Sequence, residues 1–176
     1  MPSLWTLPIL IENSNVAEPA VVNASPLIFL SRAGLIDLLQ LVTPEVIFSE
    51  AVAFEIEVRG GSDPTAQALA NTSWLVIAQT PSIPPQIQAW GLGPGESSVI
   101  AWAHAHKGSE AIIDDLAGRR CAAAFRIPVR GTLGLVLTAK QRGHISSARE
   151  LLYQLRQAGM YLSDRVLNAA LAKIGE

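Results

Sequence analysis

The sequence of 176 residues predicts one α/β domain, a three-layer α/β/α sandwich whose helices cover both faces of a mainly parallel central sheet. Short apolar segments alternate with helical segments, and strands separated by helices need crossover connections, which favour parallel pairing. Hydrophobic residues make up 49% of the chain and charged residues 16%, which is typical of a folded rather than a disordered protein. The length suits a single hydrophobic core.

The first half of the chain predicts three strands with helices between them. Ser25, placed before a proline, is predicted to cap the first helix. Ser49 is predicted to cap the helix after the second strand, and Asp63 the helix after that. The predicted strands are 20–23, 45–48 and 74–78, and the predicted helical segments are 25–34, 35–42, 50–58 and 64–70.

The second half predicts two more strands and five helices. An alanine-rich helix follows the glycine-rich turn at 91–95, and the strand after it ends on two aspartates. Ser147 and Glu150 have the spacing of a capping box, in which each side chain bonds the other's backbone amide. The predicted strands are 110–113 and 127–129, and the predicted helices are 96–107, 116–125, 132–142 and two that begin after residues 147 and 163.

Residues 1–18 are predicted to be an N-terminal extension, because prolines and a polar stretch interrupt them, and residues 19–176 form the domain. The longest apolar stretches fall short of the roughly 18 residues that a membrane span needs. Cys121 is the one cysteine, and the N-terminus lacks the basic and apolar segments of a secretory leader. We therefore expect a cytoplasmic protein with no membrane partner.

Charge is distributed unevenly along the chain. Residues 1–96 carry 2 basic and 9 acidic side chains, whereas residues 97–176 carry 11 basic and 6 acidic ones. Such a division is compatible with an acidic cluster that holds a cation beside a basic surface that holds a polyanion. Basic solvated helix faces in the C-terminal half explain the same distribution, so charge alone does not assign a function.

Oxygen-bearing side chains follow the predicted strands, and ligands of open parallel sheets bind beyond the carboxyl ends of strands. Hard divalent cations take oxygen ligands, and Mg²⁺ usually keeps several waters and uses only one or two carboxylates directly. The pattern therefore predicts a metal site at this edge of the sheet. Its candidates come from four separate units and are Asn23, Ser25, Glu55, Glu96, Asp114 and Asp115.

Each candidate also has a purely structural interpretation. Glu96 complements a helix N-terminus, and Asn23 caps a helix or makes a local turn. Asp115 stands four residues before Arg119, which is the spacing of a helical ion pair, and Glu55 has acidic neighbours that serve equally well as surface residues. A metal site is favoured only because all the candidates converge at strand ends.

Other kinds of site have little support in the sequence. The glycine-rich segment 91–95 lacks the dinucleotide-binding spacing and the lysine of a phosphate-binding loop. His104 and His106 stand two residues apart in a predicted helix and cannot chelate one zinc ion together. Ser25 lies outside any nucleophile elbow, and Cys121 lies among alanines, so nucleophilic catalysis is disfavoured.

Four segments in a fixed order carry a family resemblance: VNASPLI at 22–28, LGPGESSVI at 92–100, IDDLAGRR at 113–120 and GTLG at 131–134. Together they resemble a family of bacterial and archaeal PIN-like proteins over about residues 20–176. The resemblance implies an α/β/α nuclease in which clustered acids bind Mg²⁺ or Mn²⁺ and cut single-stranded RNA. It also implies membership of a group in which many proteins are the toxin of a toxin–antitoxin pair.

The resemblance further implies a ligand set. Asn23 matches the first acid, which is aspartate in most PIN domains, and Glu55 matches the acid after the second strand. Glu96 matches the acid that opens the later helix, and either Asp114 or Asp115 matches the acid after the fourth strand. An amide oxygen coordinates a cation without contributing charge, so we expect weaker metal affinity.

The resemblance also assigns a role to Ser25, which matches the hydroxyl that supports the first acid.

The expected function is a metal-dependent ribonuclease that hydrolyses single-stranded RNA, with an antitoxin protein and a second copy of the chain as expected partners. Two alternatives stay open: a PIN-like module that binds nucleic acid or protein without cleavage, and a generic nucleotide-binding α/β domain. The basic residues predicted to neutralise the RNA backbone are Arg119, Arg120, Arg126, Arg130, Lys140 and Arg142.

Overall fold

Five parallel strands form the central sheet of the protein, described by a computed structural model for residues 18–176. The predicted extension at 1–18 lies outside the described residues, apart from Glu18. The strands pair in the order β3-β2-β1-β4-β5, and every pairing is parallel. They are β1 (Ala20–Val22), β2 (Val46–Ser49), β3 (Leu75–Ala78), β4 (Ala111–Ile112) and β5 (Val129–Arg130).

Helices flank this sheet and complete the predicted α/β/α sandwich, so the predicted fold class is confirmed. Across the helices of the described chain, none combines the length and apolar character needed for a membrane crossing. The helices are α1 (Ala24–Arg32), a 3₁₀ helix (Ile36–Leu41), α2 (Glu50–Glu57), α3 (Pro64–Asn71), α4 (Pro85–Gln88), α5 (Pro94–Ala105), α6 (Leu116–Ala124), α7 (Thr132–Gln141), α8 (Ala148–Gln157) and α9 (Asp164–Ala172).

The strand order contains one reversal, which lies at β1. From β1 the chain proceeds through β2 to β3 on one side, and then returns to place β4 and β5 on the other side. The register pairs Val22 with Ile112, so the carboxyl ends of β1 and β4 lie side by side. Loops that leave adjacent strands in opposite directions open a crevice between them, and ligands of open α/β sheets bind there.

Several predicted element ends differ from those observed. Helix α1 begins at Ala24 with Asn23 as its N-cap, so the predicted cap at Ser25 is wrong. The segment predicted helical at 35–42 forms a 3₁₀ helix, and Pro44 soon ends it. Strand β5 begins later than predicted, because Arg126 has φ 57 and Pro128 has no amide to donate to the sheet.

The predicted capping box at the start of α8 is half formed. The Ser147 hydroxyl accepts from the Glu150 amide at 3.3 Å. The Glu176 carboxylate instead takes the amides of Ala148 and Arg149 at 2.9 and 3.0 Å. A side chain from the end of the chain therefore holds the first turn of α8.

The core lies between the sheet and the helices, and α5 is its most buried helix. Apart from Glu96, the residues of α5 from Gly95 to Ala103 are all buried. The closing helices α8 and α9 pack on the core through Leu155 and Leu171, which are fully buried. Burying one such leucine contributes about 1.5–3 kcal/mol, so these helices are an integral part of the domain.

Candidate active site

The candidate site lies at the crevice between β1 and β4, where four helices begin. The first turns of α1, α5, α6 and α7 follow or face the carboxyl ends of the strands. Helix N-termini carry unpaired amides and partial positive charge. Acidic side chains gathered here are therefore stabilised by the backbone as well as by any bound cation.

Asn23 is the central residue of the site, since it connects β1 to α1. It occupies the N-cap position of α1, yet its side chain makes no capping hydrogen bond. The side chain is 5% exposed, and its Oδ1 is buried without a hydrogen-bond partner. The structural interpretation of Asn23 as a simple helix cap is therefore wrong, and its amide oxygen is left available to a ligand.

Gly95 brings Asn23 and Glu55 to the same small space. A Cβ atom on Gly95 would lie 3.0 Å from Oδ1 of Asn23 and 3.1 Å from Oε2 of Glu55. Both oxygens therefore border the backbone of the first turn of α5, and a side chain at this glycine would press on them. Glu57, a neighbouring acid on α2, does not share this position, since it lines a separate cavity against α3.

A serine pair links the start of α2, the helix that carries Glu55, to α5. The Ser49 hydroxyl caps α2 by accepting from the Val52 amide at 3.2 Å, as predicted. The same oxygen lies 2.6 Å from the Ser98 hydroxyl, which in turn donates to the Gly95 carbonyl at 2.6 Å. The start of the helix that carries Glu55 is thus joined directly to the turn that carries Gly95.

Glu96 adds a second carboxylate from the first turn of α5. Partial burial raises the pKa of its carboxyl, and the negative charges of Asp115 and Glu55 raise the pKa further. A Cβ on Gly118, in the first turn of α6, would lie 3.4 Å from Oε1 of Glu96. Glu96 therefore lies between α2 and α6, within electrostatic reach of both neighbouring acids.

The two adjacent aspartates after β4 face different surroundings. Asp115 is the N-cap of α6, and its Oδ1 accepts from the amides of Ala117 and Gly118 at 2.7 and 3.1 Å. The predicted alternative, an ion pair between Asp115 and Arg119, does not form. One oxygen of Asp115 thus anchors the helix, while its charge acts on Glu96.

Asp114 turns toward α7 instead. Its oxygens accept from the Thr132 amide and the Thr132 hydroxyl, each at 2.7 Å. Burial raises its pKa, although these hydrogen bonds and the nearby Arg119 guanidinium act in the opposite direction. Asp114 thereby attaches the start of α7 to the end of β4, whereas Asp115 caps α6 and acts on Glu96.

A cleft of about 480 Å³ opens beside these aspartates. Ser25, half-buried in the first turn of α1, lines it together with both aspartates and Arg119. Its other walls are apolar and come from α1, α6, α7, α9 and the segment before α9. The apolar lining residues are Phe29, Leu116, Leu133, Met160, Tyr161, Leu162 and Val166.

The six predicted RNA-binding cations are distributed unequally around this site. Arg119 lines both the cleft and a neighbouring depression of about 340 Å³, which Arg130 also lines. Arg130 is bonded to Glu110 at 2.9 Å, and Lys140 pairs with Glu176 at 2.9 Å.

The other predicted cations are farther from the acids. Arg142 donates to the Leu41 carbonyl, Arg120 is exposed on α6, and Arg126 follows α6 at the opposite edge of the sheet from the acidic residues. Arg119 is therefore the one of the six that adjoins Asp114 and Asp115.

Three further residues contribute to the site without having been assigned a role from the sequence. Gly95 belongs to the glycine-rich segment at 91–95, and it is the point of close approach to Asn23. Thr132 binds Asp114. Its position in the GTLG segment, one of the four segments that carry the family resemblance, is the sequence feature that could have indicated this role. Tyr161 lines the cleft, and nothing in its sequence neighbourhood indicates this.

The donor set suits a divalent cation that retains much of its water. Within residues 18–176, no three His, Cys, Asp or Glu side chains stand in a ready-made metal-binding arrangement. The site instead combines an unpartnered buried amide oxygen on Asn23 with carboxylates on Glu55, Glu96 and Asp115. Mg²⁺ typically needs only one or two carboxylates and completes its shell with water and substrate oxygens, so these residues fit such an ion.

The comparisons with known proteins agree with the geometry at the level of the family. No curated protein and no solved structure matches this chain significantly. A family model described as a PIN domain matches residues 19–176. PIN domains are generally nucleases, and they usually use divalent metal ions. The match covers most of the chain, and the chain belongs to the PIN domain family.

Proposed function

We propose that this protein is a metal-dependent endoribonuclease that hydrolyses phosphodiester bonds of single-stranded RNA. One observation carries the proposal: the buried Oδ1 of Asn23 has no hydrogen-bond partner and lies with Glu55 against Gly95, next to Glu96, whose carboxyl interacts electrostatically with Glu55 and Asp115. An orphaned polar atom in a buried position costs folding free energy unless it serves a ligand.

The chemistry of the site follows from its charge. A bound Mg²⁺ or Mn²⁺ lowers the pKa of water and stabilises charge on phosphate oxygens. Glu55, Glu96 and Asp115 supply the negative charge that attracts such a cation, and Asn23 supplies an uncharged oxygen. The replacement of an acid by an amide reduces the attraction by one full charge, so we expect the protein to need a higher metal concentration than a site with four carboxylates.

Arg119 contributes a positive charge to the cleft that Asp114 and Asp115 also line. A phosphate bound at the acidic crevice lies beside its guanidinium, which forms strong charge-assisted bonds with phosphate oxygens. The adjoining depression leads from Arg119 to Arg130. This arrangement supports a nucleic-acid strand that runs from the acidic crevice across the start of α7.

Cleavage of a labelled single-stranded RNA tests the proposal. The wild-type protein is expected to cut in Mg²⁺ or Mn²⁺ and to be inactive in EDTA. Glu96→Gln is expected to lower the rate by about 100-fold, because it removes a charge from the metal site. Glu57→Gln is the matched control, since Glu57 is exposed and lines a different cavity. Equal cleavage in EDTA, or by Glu96→Gln, would overturn the metal-dependent mechanism.

A binding module without catalysis is the second candidate, and the amide at Asn23 favours it. Such a protein retains RNA affinity but gives no cleavage in any metal. The roles of toxin, antitoxin-binding protein and homodimer stay predictions of the family resemblance, and the cytoplasmic location stays a prediction from the sequence. Co-expression with a neighbouring gene product and measurement of mass in solution test the toxin role and the dimer.

A further inference from the structure

Tyr161 is a large aromatic residue that the fold leaves in water. Its side chain is 91% exposed, the highest value among the exposed large hydrophobic residues of the described chain. It lies in the short connection between α8 and α9, at the border of the cleft that contains Asp114, Asp115 and Arg119. Exposure of a ring of this size costs hydrophobic free energy, so its position calls for a physical explanation.

The connection that carries Tyr161 is anchored on both sides. Leu162 is buried, and Met160 packs partly against the core. The Met160 amide bonds the Leu155 carbonyl at 3.0 Å, and Ser163 caps α9 by accepting from the Val166 amide. Tyr161 therefore projects from a fixed backbone, and little conformational freedom of the backbone is lost when a ligand meets its ring.

The cleft next to this ring is lined by two chemically different kinds of group. Its charged groups are the carboxylates of Asp114 and Asp115 and the Arg119 guanidinium, and its apolar groups include Leu116, Val166 and Tyr161. Its volume of about 480 Å³ falls within the range of about 300–1,000 Å³ that encloses small ligands. A nucleotide has the same division, since its phosphate is charged and its base is flat and weakly polar.

We infer that Tyr161 is a stacking platform for an unpaired nucleobase of the RNA, next to the phosphate bound at the acidic crevice. The inference rests on the proposed function and adds a substrate-binding residue to it. Base stacking on aromatic rings accepts every base and requires that the base be unpaired. Tyr161 would thereby select single-stranded over duplex RNA without reading sequence.

The charged residues of the cleft favour a nucleotide over an apolar peptide as its occupant. A peptide that covers Leu116, Val166 and Tyr161 would also bury Arg119 and two carboxylates, which is costly unless each is paired. A nucleotide pairs the guanidinium with its phosphate and places only its base on the apolar wall. The combination of charged and apolar groups in the cleft therefore suits a nucleotide.

The test combines Tyr161 variants with RNAs that lack a single base. A set of single-stranded RNAs carries one abasic ribose at successive positions around the cleavage site, and kcat/KM is measured in Mn²⁺ or Mg²⁺. Tyr161→Ala is expected to lower kcat/KM on intact RNA by about 5- to 150-fold, which corresponds to the loss of one stacked base. Tyr161→Trp is expected to retain activity, and Tyr161→Leu to behave like alanine, because leucine has apolar area but no ring face.

The abasic series identifies the interaction itself. For the wild-type protein, an abasic ribose at one position is expected to lower kcat/KM as much as Tyr161→Ala does on intact RNA. For Tyr161→Ala acting on that abasic RNA, kcat/KM is expected to be no lower than with either change alone. Tyr153→Ala is the matched control, since Tyr153 is also exposed but lies on α8 outside the cleft. Circular dichroism and melting temperature check that each variant folds like wild type.

The outcomes separate the inference from the proposed function. No cleavage by wild type in any metal overturns the ribonuclease and the inference with it. Cleavage by wild type that Tyr161→Ala leaves within twofold overturns the inference alone. Unchanged cleavage accompanied by an altered mass in solution would assign the ring to contact with a second copy and also overturn the inference. If the losses from Tyr161→Ala and from the abasic ribose add fully in free energy when the two are combined, Tyr161 does not contact that base.

Discussion

Oδ1 of Asn23 and Oε2 of Glu55 both lie against Gly95, at 3.0 and 3.1 Å from the position that a Cβ there would take. Asn23 follows β1, and Glu55 lies on α2, so their oxygens meet only because β1 pairs with β2 and α2 packs on α5. The space that they share is polar, partly buried and adjacent to two further acids.

Gly95→Ala is expected to abolish metal-dependent cleavage while the fold persists. The added methyl group would press on Asn23 and Glu55, and both must move away from the site. Alanine is a better helix former than glycine, so the melting temperature should change little. Gly93→Ala is the matched control, because nothing lies within 4 Å of a Cβ at Gly93. A fully active Gly95→Ala protein would contradict a functional meeting of Asn23 and Glu55.

Asn23→Asp is expected to increase metal affinity and to destabilise the metal-free protein. The new carboxylate would be buried beside Glu55, and a buried charge without a partner is costly. Addition of Mg²⁺ should recover the lost stability, since a ligand that binds only the folded state stabilises it. Thermal melts at several Mg²⁺ concentrations measure both effects. A metal-independent melting temperature in this variant would contradict the placement of Asn23 at a cation site.

Asp114 and Asp115 are expected to respond differently to substitution. Asp114→Ala removes the acceptor for two bonds from Thr132, one of them a backbone amide, and should destabilise the protein by about 1.5–3 kcal/mol. Asp115→Asn retains an N-cap side chain, so stability should change by less than about 0.5 kcal/mol, while cleavage is lost. Urea unfolding and RNA cleavage of the two variants test this division. Wild-type cleavage by Asp115→Asn would remove Asp115 from the ligand set.

RNA binding is expected to weaken steeply as salt rises, because phosphate contacts release counterions. Arg119→Ala should lower the affinity and reduce the slope of log affinity against log salt by about 0.7, the value for one phosphate of a single strand. Arg149→Ala is the control, since Arg149 is exposed on α8 outside the cleft. Fluorescence anisotropy gives both slopes. A flat salt response of the wild-type protein would contradict phosphate binding near Arg119.

Stability is expected to fall in acid through Glu176. Hydrogen bonds from the Ala148 and Arg149 amides, together with Lys140, lower its pKa from 4.5 to about 2. The folded protein therefore holds the ionised form more strongly than the unfolded chain does. Its stabilising contribution is complete above about pH 5 and is lost as the pH falls toward 2.

Glu176→Gln measures this contribution. The variant should be less stable than wild type at pH 7, and the two urea midpoints should converge as the pH is lowered from 5 to 2. A gap that stays constant over this range would show that the charge of Glu176 does not hold the start of α8.

The order of strands and helices was predictable because local signals specify it. The caps at Ser49, Asp63 and Ser163 and the apolar strand segments all act within a few residues of the elements they define. Errors occurred where a distant group competes. Glu176, from the end of the chain, accepts from the Ala148 and Arg149 amides at the start of α8, and the side chain of Asn23 makes no capping bond to the helix that it precedes.

The sequence by itself determined the fold class, the family and the set of oxygen-bearing residues from which a metal site is drawn. Only the tertiary structure separated Asp115, near Glu96, from Asp114, bonded to Thr132, and only it placed Gly95 and Tyr161 beside the acids. The physical reason is that helix and strand formation depends on interactions over a few residues, whereas a site depends on side-chain directions set by packing between distant elements. A change of two residues in the N-cap position of a helix, as from Ser25 to Asn23, redirects a side chain without changing the topology of the sheet.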